Sequence, residues 1–438
     1  KGRAQNGQAF RRLVTDAGKN SIMRSVWILG MGLLAVALTG VTVAEPVHFS
    51  GFGSLSVVHS DNDSGDYTAN YEQQEGVGRT QQTDYGLDTV FGLQADAQLV
   101  PGLTATAQMQ SRRVADGSAT PYFEWANLKY RINDDFSVRI GRVVAPLFMA
   151  SDSRAVGYSQ TALRLPPDVY LLNPVSYLDG GDIKYQFERA DVIYTATATV
   201  GKYEKMFPTI GGDTNVEFDA QLLDFKAETG ASTFRLGIGK ASVDFKTPLL
   251  KMLDDAVAGL VEAGVPRAPT LQDHLDHRGF QGLFANVGYA YDSGRYLVQA
   301  EYVVRRSESF WVYDVDGFYL LGGIRAGAFT PYVRYAQVNC LNRDADLPAL
   351  DTGGLEPALA TVATLVNQFT DALKVYDERN TWTAGIRWDF ADNYALKAEI
   401  DHISKPGGNA GQFINTTPEF EARAQSVNVL SLALDFIF

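Results

Sequence analysis

The sequence predicts an all-β chain that closes into one transmembrane, antiparallel, up-and-down β-barrel of about sixteen strands. Three observations carry this: a two-residue hydrophobic period, connections that alternate between short and long, and aromatic residues gathered beside the short ones.

The period comes first. In 102–110, Leu103, Ala105, Ala107 and Met109 alternate with Thr104, Thr106, Gln108 and Gln110, so one face is apolar and the other polar. The same pattern runs through Thr89-Phe91-Leu93-Ala95-Ala97, through Trp382-Ala384-Ile386-Trp388-Phe390, and through the closing Leu430-Leu432-Leu434-Phe436-Phe438.

The connections come second. Turn chemistry marks seven short ones: Val100-Pro101-Gly102, Asn133-Asp134-Asp135, Arg189-Ala190-Asp191, Thr229-Gly230, Asp292-Ser293-Gly294-Arg295, Gly327-Ala328 and Ala391-Asp392-Asn393. Eight long polar connections are expected near 60–84, 114–121, 144–176, 203–215, 246–280, 307–316, 340–380 and 405–426. Fifteen connections join sixteen strands, with short periplasmic turns and long extracellular loops. Tyr130, Phe136, Tyr291, Tyr296, Phe329, Phe390, Tyr394, Phe436 and Phe438 flank the short turns, as a girdle at one membrane interface requires. A soluble β-sandwich would not need so many strands in strict long-short order.

Lipid cannot satisfy backbone polar groups, so the first strand, Val47 to Val58, must pair with the last, Val427 to Phe438. A barrel of that size is too wide for wall side chains to fill, and its lumen should hold water.

Composition bounds the rest. Charged residues make up 20% and hydrophobic ones 45%, unlike a helical membrane protein. Met23 to Ala44 has a basic start at Arg24, an apolar run from Val26 to Leu38 and small residues before Glu45, the order of a signal peptide. The expected organisation is therefore 1–22 as an upstream extension, 23–44 as a signal peptide and 45–438 as one barrel domain, exported to the Gram-negative outer membrane. The formal charge is −13, and residues 1–44 hold six Lys or Arg and one acid, so a chain starting at Glu45 carries −18. So acidic a chain repels nucleic acid. Cys340, the single cysteine, forms no internal disulfide.

The segments His48-Phe49-Ser50-Gly51-Phe52-Gly53, Glu124-Trp125-Ala126-Asn127-Leu128-Lys129-Tyr130 and Ile140-Gly141-Arg142 resemble proteobacterial outer-membrane porin-like proteins. Pro146-Leu147-Phe148, Ser151-Asp152-Ser153-Arg154 and the terminal Phe438 extend the likeness. The resemblance spans the mature chain and implies a sixteen-stranded general diffusion porin, commonly a homotrimer, that passes small hydrophilic solutes and ions passively through a water-filled channel. It also implies that Phe438 is read by the barrel-assembly machinery, and that the third external loop, here 144–176, folds into the pore as a constriction.

That loop carries Asp152, Arg154, Arg164 and Asp168, with Asp179 just after it. Strand parity assigns Arg112, Arg139, Arg305, Arg325, Arg334 and Arg387 to the pore wall, because an arginine facing lipid at the midplane would cost about 2–4 kcal/mol. The inward acids Asp88, Asp96, Asp182, Glu301, Glu399 and Asp401 balance them. Carboxylates facing arginines would set a transverse field across the pore. The sign of ion selectivity stays open at this point, with the overall charge tilting it toward weak cation preference.

Helical spacing in 249–263 and in 355–374 predicts two amphipathic helices in external loops, either packed on each other or on the mouth as a cap, or forming local loop cores. No enzyme signature emerges. Gly157-Tyr158-Ser159-Gln160-Thr161 lacks the last Gly of a nucleophile elbow, and Gly237-Ile238-Gly239-Lys240 is followed by Ala241 rather than Ser or Thr. His274 and His277 beside Asp273 and Asp276 read as a solvated loop rather than a metal site, and no cofactor is expected. Two other functions remain open: a substrate-selective channel with a solute-binding constriction, and a non-conducting barrel serving as scaffold or adhesin.

Overall fold

The structure, a computed structural model, describes residues 46–438 except Tyr71, 115–116, 210–211, 342–346 and 373–376. The expected extension and signal peptide, 1–22 and 23–44, lie outside the described residues.

Sixteen long strands follow one another in chain order: β1 His48–Ser60, β2 Val90–Val100, β3 Leu103–Arg112, β4 Tyr122–Arg131, β5 Phe136–Val144, β6 Tyr177–Arg189, β7 Val192–Thr209 and β8 Gly212–Thr229. Then come β9 Ser232–Lys246, β10 Phe280–Asp292, β11 Tyr296–Ser307, β12 Val315–Ile324, β13 Phe329–Cys340, β14 Arg379–Ala391, β15 Tyr394–Lys405 and β16 Gln425–Ile437. Each pairs antiparallel with its sequence neighbours, and β1 also pairs with β16 from Phe52↔Ile437 to Ser60↔Val429, which closes the barrel. The closure leaves no long edge strand, as hydrocarbon demands.

Phase follows the pleat. In β15, Lys397, Glu399, Asp401 and Ile403 are buried while Leu396 and Ile400 are exposed; in β9, Phe234, Leu236 and Ile238 are exposed and Arg235 is buried. Large apolar side chains on the exterior with charges inside invert a soluble protein, and mark the outer surface as lipid-facing. The fold is that of an outer-membrane barrel. Around the short-turn end the rings form runs from strand to strand, Phe136–Tyr185–Phe187–Tyr194–Phe225 and Phe329–Trp388–Phe390–Tyr394–Phe436–Phe438, with neighbouring centroids 4.4–6.5 Å apart.

All seven short turns fall where turn chemistry put them. The expected loop at 203–215 is a correction: β7 and β8 are 18 residues each and remain paired through Tyr203↔Phe218 as far as Thr209↔Gly212. Past Val200 the outer face of this hairpin turns charged, as in the exposed pair Lys202–Asp219, while Tyr203 stays buried inside, so the lipid-facing apolar alternation vanishes although the ladder continues. The expected helices form as α2 Pro248–Glu262 and α4 Pro357–Ala372, and α3 Ala268–His274 adds a third; α1 is the single turn Pro167–Tyr170 between β5 and β6. Val257 and Leu260 of α2, Leu271 of α3 and Ala363 and Val366 of α4 share one apolar cluster, so the external helices pack on one another.

Candidate functional site

The connection between β5 and β6, residues 145–176, is apolar where an external loop should be polar. Ala145, Leu147, Phe148, Ala162, Val169, Tyr170 and Leu172 are buried, and they pack on inward residues of β8 to β13, among them Leu222, Phe284, Val303, Tyr319 and Tyr332. Phe148 stacks on Tyr170 at 4.5 Å and meets Phe284 edge-on at 5.3 Å. Ser151 fixes the first bend, its Oγ accepting from the backbone N–H of Leu147 and of Phe148.

Wall side chains then hold this strap by its backbone. Lys397 donates to the carbonyls of Gly157, Gln160 and Ala162, and pairs with Asp435 at 2.8 Å. Arg387 donates to the carbonyls of Tyr158 and Gln160, Arg334 to that of Arg164, and Arg305 to that of Leu172. Arg235 donates to the carbonyl of Phe148, and the Glu301 carboxylate accepts from the Met149 N–H and the Tyr170 hydroxyl. Gly157 comes so near the wall that a Cβ there would stand 2.5 Å from Asp435 Oδ1 and from Ser54 Oγ.

The strap's own charges are consumed in this attachment. Arg164 is buried, with Asp88 and Asp401 each at 2.8 Å and Glu399 at 3.5 Å. Asp168 is buried against Arg379 at 3.1 Å and accepts from Thr381. Neither presents a charge to water. Among the described residues Arg154 donates only to carbonyls, of Tyr170 and Asn173, and lies over the rings of Phe148 and Tyr170. Asp152 is exposed, and with Arg154, Arg112, Glu72 and Glu124 it lines a recess between the strap and the wall. There Glu72 receives Arg112 at 3.2 Å and Lys205 at 2.5 Å. Burial alone would raise its carboxyl pKa, but the two cations outweigh burial and hold it below the usual range.

Two expected site residues stand elsewhere. Asp179 shares its phase with the exposed Ile183 and pairs at 2.8 Å with Arg142, which shares its phase with the exposed Ile140. It therefore belongs to the outer surface, because the strand has already begun at Tyr177 and parity governs its direction. Arg325 has the inward phase but follows the end of β12 and pairs with Asp292 beside a short turn, both partly exposed; it is a rim charge, not part of the wall at mid-barrel. Phe438 is 67% exposed, and its backbone exchanges two hydrogen bonds with Gly51 while its ring covers that glycine.

Sequence reading missed Lys397, Arg379, Arg235 and Asp435. Parity alone would have found Lys397, two residues before Glu399 on the same face, and Arg235 between Phe234 and Leu236. Arg379 was assigned to a loop that ends earlier than expected.

The two halves of the wall differ. On β11 to β16 the inward Glu301, Arg334, Thr383, Lys397, Glu399, Asp401, Ser431 and Asp435 are 0–2% exposed beneath the strap. On β2 to β6 the inward side chains Gln108, Gln110, Glu124 and Asp182 are buried, but Gln94, Asp96, Thr106, Asn127, Arg139 and Lys184 are half-buried and Lys129 is exposed. Arg139 is bound to Asp182 at 2.6 Å, and Asp96 accepts from Gln94 and Thr106.

Among solved structures, the outer membrane channel DcaP of Acinetobacter baumannii superimposes with a TM-score of 0.52 at 10% identity, covering 90% of this chain and 97% of that one. The chain shares that channel's fold. More distant are OmpF of Salmonella typhi, at 0.49 and 10% identity over 89% and 97% of the two chains, and an anion-selective porin from Comamonas acidovorans, at 0.47 and 11% over 90% and 99%. No family model matches the sequence, and no curated protein matches it.

Proposed function

We propose that this protein is a porin that passes small hydrophilic solutes and ions passively through a water-filled passage between the strap 145–176 and the inner wall of β2 to β6. One observation supports the reading: the inward polar and charged side chains of β11 to β16 are sealed under the strap, while Gln94, Asp96, Thr106, Asn127, Lys129, Arg139 and Lys184 on β2 to β6 stay partly exposed. In this reading the strap is a constriction folded into the pore, with Asp152 and Arg154 beside the passage and Arg112 and Arg139 on its wall. Arg164, Asp168, Arg305, Arg334 and Arg387 position the strap rather than meet solute. Phe438, exposed at the turn end, serves as the assembly residue, outer-membrane lipid covers the apolar exterior, and the working unit is a homotrimer. The apolar core beneath the strap favours a second reading, a non-conducting barrel used as a scaffold.

The decisive measurement is current through a planar bilayer containing the refolded chain from Glu45. Stepwise ohmic conductance supports the porin, and silence from a correctly folded barrel supports the scaffold. Native electrophoresis of the extracted protein tests the trimer.

A further inference from the structure

Deepening the porin reading, on which it rests for a role in transport, we propose that the recess between the strap and β3–β4 is a subsite for small zwitterions of the amino-acid class, with Glu124 taking the ammonium end and Arg154 the carboxylate end. Asp152 and Arg154 line the recess from the strap, and Arg112, Glu124 and Trp125 from the wall. A β-bulge builds the wall side. Phe123 lies opposite Met109 and Trp125 opposite Gln108, so Glu124 is an extra residue in β4 with no partner on β3. Such an insertion re-aims side chains. Phe123 stays exposed on the outer face, while Glu124 and Trp125 both turn to the recess.

The bulge leaves polar atoms unused. Glu124 is 6% exposed, its Oε2 is buried with no hydrogen-bond partner, and no cation pairs with it among the described residues. Trp125 Nε1 is likewise a buried donor without an acceptor. Arg154 spends one N–H on the carbonyl of Tyr170 and one on that of Asn173, which leaves the rest of its five-donor guanidinium free of any carboxylate among the described residues. Glu72 and Arg112, by contrast, are matched to each other, with Lys205 as a second cation on Glu72.

Glu124 and Arg154 therefore bring opposite charges to one recess without pairing, and a charge withdrawn from water without a partner is costly. A solute that carries both signs completes both groups: its ammonium donates to Glu124 Oε2, and its carboxylate accepts from Arg154 and from Trp125 Nε1. A solute with a single charge completes one of them. Size narrows the class further, because a cavity of about 50 Å³ holds about four waters, the bulk of glycine or alanine. The lining carries three acids, Glu72, Glu124 and Asp152, against the cations Arg112 and Arg154, so a purely anionic solute is repelled.

The test is saturation-transfer NMR on the folded barrel in detergent, with glycine, acetate and methylammonium as probes of the wild type, of Glu124→Gln, which keeps the shape and removes the charge, and of Trp125→Phe, which removes the free donor. The wild type should bind glycine about tenfold tighter than either singly charged probe, and Glu124→Gln should lose about tenfold in glycine affinity while its acetate affinity holds. Trp125→Phe should weaken glycine and acetate together. Equal affinity of the wild type for glycine and acetate, no saturable glycine signal, or unchanged glycine affinity in both variants overturns the subsite. Binding is read without current, so a barrel that binds glycine but gives no steps in a bilayer supports the subsite and overturns the porin.

Discussion

Arg164→Ala is the sharpest probe of the strap. The guanidinium sits among Asp88, Asp401 and Glu399, and its Nη2 also donates to Ser431 Oγ at 2.5 Å. Glu399 and Asp401 are each about 1% exposed, so the deletion leaves buried carboxylates facing each other with Arg334 as the neighbouring cation. Removing one partner of such a buried network costs about 3–5 kcal/mol. The strap can relieve that cost by shifting locally and admitting water between its flanking anchors, Lys397 and Arg387 on the carbonyls of 157–162 and Arg379 on Asp168. A penalty of that size shifts the equilibrium for local strap detachment by about two to four powers of ten. In planar bilayers the variant should show larger, noisier steps, and limited proteolysis should cut within 155–165 while the barrel stays heat-resistant on gels. Steps identical to wild type, with no new cleavage, would refute the claim that these pairs hold the strap.

Three further outcomes follow from the same geometry. Phe438→Ala should leave a refolded barrel intact, since the backbone pairing to Gly51 survives, yet lower its yield in the outer membrane of cells; equal yield in both settings would remove the assembly role. Val257→Asp places a charge in the fully packed cluster of α2, α3 and α4 and should destabilise the external helices by about 3 kcal/mol or more, read as faster hydrogen exchange there; conductance rises only where those helices cap the mouth. Glu72, in the connection between β1 and β2, has its pKa lowered in the folded state, so its attachment to Arg112 and Lys205 is present above the unfolded pKa and lost as pH falls through the folded one. Exchange in 66–82 should thus stay slow through the ordinary carboxylate range and quicken only below it, and Glu72→Gln should abolish that pH step.

Much of the architecture was legible because parity is a local property. A strand whose Leu396 and Ile400 must meet lipid has no choice but to turn Glu399 and Asp401 inward, and the turn residues between strands set the count. Legibility failed where local pattern stops being tied to lipid. In the hairpin of β7 and β8 the outer face turns charged at Lys202 and Asp219, so the lipid-facing period is lost and the strand looks like a loop. Asp179 looked like part of the strap only because sequence order does not say where a strand begins.

What the sequence by itself determined was the barrel, its number of strands, its girdle and the inward direction of nearly every wall charge, since each follows from backbone periodicity and the cost of leaving polar groups in hydrocarbon. Only the tertiary structure decided which of those charges are spent on one another. Arg164 and Asp401 are 237 positions apart, and their meeting depends on how the strap crosses the barrel, not on any neighbouring residue. Hydrogen-bonded pairing depends on geometry that only the folded chain supplies, so the same list of arginines and acids contains both the clasp that holds the strap and charges such as Asp152 that stay exposed.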